Sequence, residues 1–560
     1  MSLVREKKIQ LCFSCVESGL VQSEFDYIVV GGGSAGCVVA RRLSDDPNNR
    51  VLLVEAGPEP TSPYIGIPMG IGKTLANPRF SWYYPTEPEY GTGGSARVWL
   101  RGKVLGGSSA VNGMVYTRGH PQDYDDWEAA GAHGWGWDTF LKSFMALEDH
   151  ELGANDYRGV GGPLHVSIQK HRSPLTEAIL QSCAQLGTPV REDVNHPEQR
   201  GVGYSPLTIK DGRRISAYDA FLRPVRKRPN LQIITEALVE RVTFEGLRAS
   251  GIALIRGDKR EVYKARKEVI LSAGTLGSPR ILQVSGVGPA SLLAKHGIPV
   301  IVDRAGVGEN LSEHKAIWLE YKLRQNYSHN LKLRGWRLPL SALQYFLFRS
   351  GPMATSVDLQ AFIHSRSNLQ RPDAQLQFWS LTARKNVDRL EPETFPAVGA
   401  GGWVLRPESR GSVMIQSADV RDLPIIRPNF LACEEDKAVI VGLFRYIRAL
   451  FEQPGLRELV DEETLPGRDI QSDEQIIESS LVGDNGYHAT GTCRMGSDDE
   501  AVVDPRLRVK GVNGLRVVDC SVMPTQVSSG VNGPVMALAW NASNLILEDA
   551  RQSLLLEMVV

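Results

Sequence analysis

Seven cysteines among 560 residues are too few, too scattered and, being odd in number, too unmatched to build a disulfide framework. Cys12 and Cys15 form a CxxC, but no second pair and no nearby histidine accompanies it, so it reads as incidental rather than as a metal or redox site. The eleven histidines show no ligand-like spacing, and no metal is expected. No apolar run reaches the ~18 residues that cross a bilayer as a helix, which excludes a membrane-spanning helix. A formal net charge of −1 excludes a global field suited to gripping nucleic acid or an anionic membrane, leaving only local patches. Residues 1–23 place Arg5, Lys7 and Lys8 before IQLCFSCV, yet the apolar run is short and no clear small-residue cleavage site precedes Glu17. This stretch is read as a disordered extension, and the protein is expected in the cytoplasm, acting on a small molecule.

What the chain does have is length and glycine. Single cores stop growing near about 250–300 residues, so 560 residues imply two domains. Among the 55 glycines, the informative ones lie in FDYIVVGGGSAGCVVARRL, Phe25 to Leu43, which joins an apolar strand to a glycine turn and a helix. Gly31 permits the sharp turn, Gly33 lets backbone approach a pyrophosphate, and Gly36 lets the new helix pack on its strand. Phosphate charge would then face the unpaired amides of a helix N-terminus. Glu55 ends a second strand, VLLVEAG, where a ribose hydroxyl needs an acceptor. The pattern predicts a dinucleotide site without distinguishing FAD from NAD.

Further along, a long Gly-, Pro- and aromatic-rich loop is expected from Pro58 to Gly94, and RGKVLGGSSAVNGMVYTRG, Arg101 to Gly119, brings backbone close to something. Helix is expected over Trp127–Glu151, interrupted by GAHGWGWD. LQIITEALVERVTFEG, Leu231 to Gly246, alternates as a strand pair does. EVILSAGTLGSPRILQVSGVG, Glu268 to Gly288, repeats strand, glycine turn and helix, a return to the nucleotide-binding sheet. From Glu313 to Leu481, aromatics including Trp336, Tyr345, Phe346, Phe348, Trp379 and Trp403 accompany strand-like pieces, AQLQFWSL and GSVMIQSA, which suits a second, antiparallel sheet lining a pocket. GYHATGTCRMG, Gly486 to Gly496, sets His488 before small residues, and Asn532-Gly533-Pro534 opens a C-terminal helix.

Together these segments resemble the glucose-methanol-choline family of FAD-dependent oxidoreductases, from about Glu24 onward. GKVLGGSSAVN (Gly102–Asn112), GTLGSPRILQVSGVG (Gly274–Gly288), GVGENL (Gly306–Leu311), LRPESRGSV (Leu405–Val413), HxxGTCRMG (His488–Gly496) and NGP (Asn532–Pro534) carry the resemblance. It implies an α/β fold: a Rossmann-like FAD-binding domain from residues 24–160, 210–312 and 482–560, interleaved with an α+β substrate-binding domain on an antiparallel sheet from 161–209 and 313–481. It assigns Gly31, Gly33, Ser34, Ala35 and Gly36 to the pyrophosphate, Glu55 with Ala56 to the adenosine ribose, and the backbone of Val239 to adenine. Arg101, Val104, Gly106, Gly107, Asn112, Gly113 and Val115 would run beside the isoalloxazine. Ala273, Asp519, Asn532 and Pro534 complete the cofactor set. Some members link FAD covalently through a histidine immediately before the asparagine matched by Asn112; here Val111 stands there, so non-covalent FAD is expected.

The resemblance makes His488 the general base, apt because an unperturbed imidazole titrates near about 6.5. Hydride passes to flavin N5, and the Asn532 amide hydrogen-bonds the substrate oxygen. The expected reaction is oxidation of an alcohol, primary and aliphatic or aromatic, to its aldehyde, with oxygen or a quinone or dye as acceptor. Choline-oxidising relatives place a carboxylate against the trimethylammonium in the segment matched by EHKAIW, Glu313 to Trp318; Lys315 and Ala316 occupy it here and disfavour choline. The alternatives are a choline or amino-alcohol dehydrogenase and a non-redox, FAD-containing enzyme like the hydroxynitrile lyases.

Overall fold

Uninterrupted apolar runs such as Tyr27–Val30 and Val51–Val54 belong in a sheet covered on both faces, and in the computed structural model every one of those residues is buried. The structure describes residues 21–384, 391–483 and 485–559. Most of the expected N-terminal extension, with Cys12 and Cys15, lies outside the described residues, but 21–23 open the first strand, Val21–Val30, opposite Val262 and Tyr263.

That strand lies between Val51–Val54 and Lys259–Leu271, both parallel to it, and Leu231–Ile234 extends the sheet beyond Val51–Val54. Lys259–Leu271 is 13 residues long and divides its far edge. Its first half pairs antiparallel with Arg248–Arg256, which pairs on with Leu238–Glu245, and its second half pairs parallel with Leu515–Val517. The α/β class and the return of the middle segment to the nucleotide sheet are as expected.

The two strands read from Leu231–Gly246 do not pair with each other. Leu231–Ile234 and Leu238–Glu245 stand at opposite ends of the hydrogen-bonding order. Five strand spacings of about 4.8 Å would separate them by ~24 Å in a flat sheet, whereas four Cα steps of about 3.8 Å reach only ~15 Å. The sheet therefore curls, bringing the antiparallel end back over the parallel end.

A second sheet is wholly antiparallel: Val460–Leu465, Ala316–Leu323, Ala397–Val404, Ala374–Trp379, Leu359–Ile363 and Gly201–Tyr204, in that order. Its central strand, Ala397–Val404, is buried throughout and spends side-chain volume sparingly. A Cβ at Gly401 would lie 2.1 Å from the Trp318 ring, so glycine is what lets that indole lie on the strand. The helix Glu434–Phe451 packs against this sheet.

Several local expectations are revised. Pro58–Gly94 is not one loop but short helical turns, at Pro63–Gly66, Pro68–Gly70 and Ile71–Leu75, followed by the strand Ser81–Pro85 paired with Val98–Gly102. The helical region is two helices, Pro121–Ala129 and Trp137–Leu147, split at the predicted glycine turn. GSVMIQSA is outside the six-stranded sheet, since Ser412–Met414 pairs only with Ile425–Arg427. Trp336, Phe346 and Phe348 are not part of that sheet: they sit exposed at and along the helix Arg337–Phe348.

Candidate active site

The first glycine turn is built as its sequence demands. Gly31 has φ 101°, and a Cβ at Gly36 would lie 1.9 Å from Gly31 O, so the helix Ser34–Leu43 can close on its strand only with glycine there. No side chain caps that helix and no acid lies in its first turn, leaving the amides of Ser34, Ala35 and Gly36 for an anion. Gly106 and Gly107 cross over it: a Cβ on Gly107 would stand 2.6 Å from Gly33 Cα. Nearby, the buried Ser272 hydroxyl has no hydrogen-bond partner. An uncapped helix start, a side-chain-free crossing and an orphaned hydroxyl fit the diphosphate of FAD.

Glu55 is buried beside this turn, its oxygens accepting from Gly32 N and Gly57 N at 2.8 Å each, and burial pushes its carboxyl up to about 7. The backbone of Glu55 also accepts from Ala237 N, which sets Val239 two residues on, at the start of its strand; Ala56 lies between Glu55 and Gly57. Asp519 is buried where the second glycine turn meets the C-terminal segment. Its oxygens already take Gly274 N at 2.9 Å, Ser278 Oγ at 2.6 Å and Ser521 N at 2.8 Å, so its carboxylate pins the second glycine turn, with Ala273, against the C-terminal segment.

Asn112 Oδ1 accepts from Met114 N at 3.0 Å and from Arg214 Nη1 at 2.8 Å. Arg214 was not legible as a site residue: it is buried, burial lowers it to about 9, and its Nη2 has no partner. Val104 and Val115 contribute side chains elsewhere. Val104 packs with Ile65, Phe80, Ala110 and Val111, and Val115 lies against Met114, Leu207 and Ile209. Gly113 O accepts from Ser356 Oγ at 2.6 Å, and a Cβ on Gly113 would meet Trp379 at 3.8 Å.

His488 is held by the segment 312–315, which runs antiparallel beside 485–490. Glu313 Oε1 accepts from His488 N at 2.6 Å, and Gln526 Nε2 donates to His488 O at 2.9 Å. Tyr487, immediately before it, is a non-glycine residue at φ 58°, the kind of backbone strain that collects at sites. The Trp403 ring stands edge-on to the imidazole, with centroids 5.2 Å apart.

The decisive contact is with His314, whose Nδ1 lies 3.0 Å from His488 Nδ1. His314 Nε2 is 3.0 Å from Leu405 O, an acceptor, so Nε2 carries the His314 proton and its Nδ1 accepts. His488 must then donate from Nδ1, which leaves its Nε2 lone pair free. Burial, the neighbouring His314 and Arg101 hold His488 well below the usual histidine range, and burial pushes His314 down to about 3. Both rings are neutral at neutral pH. His488 Nε2 faces Gly530, where a Cβ would stand 3.2 Å away, and the buried Thr117 hydroxyl beside it has no partner.

Asn532 opens the helix Asn532–Val559, as expected, followed by the buried Pro534. Ser34 Oγ donates to Asn532 Oδ1 at 2.8 Å, which ties the C-terminal helix to the first glycine turn and frees the amide N–H groups. Arg101 reaches this centre: it contacts Glu313 Oε2 at 3.4 Å, and its guanidinium lies near the rings of Trp99 and Tyr487. Glu313 is buried and raised to about 7, burial outweighing Arg101 and the two backbone donors. The sequence singles out the Glu313–Trp318 segment only for its bearing on choline; that Glu313 and His314 hold His488 emerges from their approach to it in space. The histidine spacing likewise hid a cluster: His171, His329 and Asp358 bring donor atoms within 4.8 Å of one another. His171 Nδ1 is 3.0 Å from Asp358 Oδ1, and neither ring nitrogen of the buried His329 has a partner.

Comparison with known proteins agrees with this geometry. The family models described as GMC oxidoreductase match residues 25–316 and 407–539. The chain is 39% identical over 536 residues to mitochondrial choline dehydrogenase of Mus musculus, covering 94% of this chain and 90% of that protein. It is 36% identical over 530 residues to oxygen-dependent choline dehydrogenase of Brucella anthropi, covering 94% and 96%. Among solved structures, pyridoxine 4-oxidase from Mesorbium loti superposes with a TM-score of 0.83 at 32% identity, covering 93% of this chain and 98% of that one. The chain belongs to the GMC oxidoreductase family: it is an FAD-dependent enzyme that oxidises CH–OH donors.

Proposed function

We propose that the substrate is an uncharged primary alcohol, aliphatic or aromatic, oxidised to its aldehyde with His488 Nε2 taking the hydroxyl proton. The observation that carries this is the His314–His488 contact, which fixes the tautomer that presents a free lone pair at Nε2. The Asn532 amide, oriented by Ser34, donates to the substrate oxygen as negative charge develops there. Trp403, edge-on to the His488 ring, covers the base, and Trp379 lies beside Gly113. Bound by the two glycine turns, FAD supplies the hydride acceptor.

Val111 supports non-covalent FAD, since it is a buried apolar side chain with no nucleophile to form a link. Acid precipitation should therefore release the flavin into the supernatant; colour retained on the pellet would overturn this. We assign the sheet built on Val21–Val30 to an FAD-binding domain of residues 24–160, 210–312 and 482–560, and the antiparallel sheet to a substrate-binding domain of 161–209 and 313–481. The described cysteines are all free, which suits the reducing cytoplasm. No helix among the described residues is long and apolar enough to cross a membrane.

Identity to choline dehydrogenases favours a second reading, oxidation of choline or another amino alcohol. The surroundings of Glu313 weigh against it. Its carboxyl is committed to Arg101, His488 N and His314 N, and the buried Lys315 ammonium, donating to Gly483 O at 2.9 Å, places a cation two residues away. A quaternary ammonium finds no free carboxylate there. Anaerobic mixing of the FAD-loaded enzyme with neutral and amino alcohols decides it: bleaching of the oxidised flavin by neutral primary alcohols is expected, and bleaching by choline alone would reverse the assignment. Admitting air, then comparing peroxide yield with quinone or dye reduction, identifies the acceptor.

A further inference from the structure

The helix Arg337–Phe348 is fastened to the body along one narrow edge. Of its side chains only Ser341 and Tyr345 are buried, and Ser341 Oγ donates to Lys332 O at 2.8 Å. On the opposite side Leu340, Leu343 and Leu347 recur at i, i+3 and i+7, with exposures of 55%, 56% and 63%. Trp336 at the start and Phe346 and Phe348 at the end are 73%, 58% and 72% exposed. Single exposed leucines need no explanation, but this is a continuous apolar face turned outward by helical periodicity.

Charge identifies what covers it. Residues 321–357 contain no aspartate or glutamate and six cations, Lys322, Arg324, Lys332, Arg334, Arg337 and Arg349. Lys322 and Arg324 pair with Asp461. The contacts of Arg334, Arg337 and Arg349 are instead with the Pro392 carbonyl and with the rings of Trp336 and Tyr345. Among the described residues none of these three arginines forms an ion pair with a carboxylate, so the rim of the apolar face is cationic. A second copy of this chain would bring the same cations against it. An anionic lipid surface matches both features: leucines enter the acyl boundary, Trp336 lies at headgroup level and the arginines meet lipid phosphates.

Position adds a third observation. A cavity of about 760 Å³ is lined on one side by Trp336, Arg337, Leu340 and Gln344 of this helix and on the other by Gln169 and Thr355. Gln169 Nε2 donates to Thr355 Oγ1 at 2.6 Å, and the next residue, Ser356, donates to Gly113 O in the wall of the candidate active site. We propose that the outward face of the Arg337–Phe348 helix docks the enzyme on an anionic lipid bilayer, the helix lying in the interfacial plane and the cavity opening at the lipid surface. Docking of this kind needs no assignment of the alcohol.

The test is flotation of the FAD-loaded full chain with vesicles of phosphatidylcholine mixed with phosphatidylglycerol, against phosphatidylcholine alone. The enzyme should float with the anionic vesicles and be released by high salt. Arg337→Gln should weaken binding about fivefold, and Leu343→Ser with Leu347→Ser by about tenfold or more. All these side chains are exposed, so the variants should keep their flavin spectrum and melting temperature, which separates lost docking from lost folding. Equal recovery of wild type and variants in the unbound fraction would overturn the proposal. So would light scattering that shows a dimer, dissociated by the same leucine substitutions, since that would give the face to a second copy.

Discussion

His488 works through the ring behind it. His314→Phe keeps a ring but removes the acceptor for the His488 Nδ1 proton, so the tautomer is no longer fixed. Alcohol-driven flavin reduction should fall by about tenfold to a hundredfold, with FAD content unchanged; a rate equal to wild type would remove His314 from the mechanism. His488→Ala should lower the same rate by orders of magnitude. Because burial, His314 and Arg101 lower its proton affinity, His488 stays neutral as pH falls through its ordinary 6.5. The stopped-flow reduction rate should therefore remain flat across that value and decline only in more acid solution, whereas a base of unshifted affinity would already be half protonated there. Gly530→Ala sets a methyl 3.2 Å from His488 Nε2 and should block substrate while leaving flavin binding intact. Of these residues the motifs exposed His488 and Asn532. The roles of His314 and Glu313 come from contacts with His488 174 and 175 residues along the chain, and that of Gly530 from its approach to the same ring, so no local pattern announces them.

At the scale of elements, the glycine turn was readable because its constraint is local: a strand, a turn at positive φ and a helix that must start within van der Waals reach of it. Gly36→Val is expected to abolish FAD retention, because its Cβ would overlap Gly31 O; a purified variant with full flavin absorbance would contradict this. Pairing was less readable. Alternation in Leu231–Gly246 marks two strands but not their partners, and the two strands lie at opposite ends of one curled sheet. The exposed helix Arg337–Phe348 was hidden for a related reason, since its apolar content resembles core until its anchoring edge is known to be two residues wide. A buried device that no motif announced joins the segment after Asn112 to the strand Glu148–His150. Arg118 Nε and Nη2 meet Glu148 at 2.8 and 2.5 Å, and Tyr116 OH donates to the same carboxylate. Glu148→Ala leaves a buried guanidinium uncompensated and should cost about 3–5 kcal/mol, read as a lower melting temperature.

The molecule as a whole is organised around a cofactor that its separate chain segments converge on. The parallel end of the first sheet draws strands from residues near 21, 51, 231, 259 and 515, and the glycine turns at 31–36, 106–113 and 273–274 approach one another only when all of these are in register. Ser34 with Asn532, and Asp519 with Gly274, clamp the far C-terminus onto the first and middle segments. FAD lying across these junctions binds the assembled sheet and not the unfolded chain, so its binding energy adds to folding stability by mass action. The apoprotein should melt below the holoenzyme, and adding FAD to about a hundred times its dissociation constant should restore about 2.7 kcal/mol, with a melting temperature that keeps rising as the logarithm of FAD concentration. NAD should give no such rise. A melting temperature indifferent to FAD would mean that the protein–protein clamps alone hold the segments together and that the cofactor enters a site already rigid.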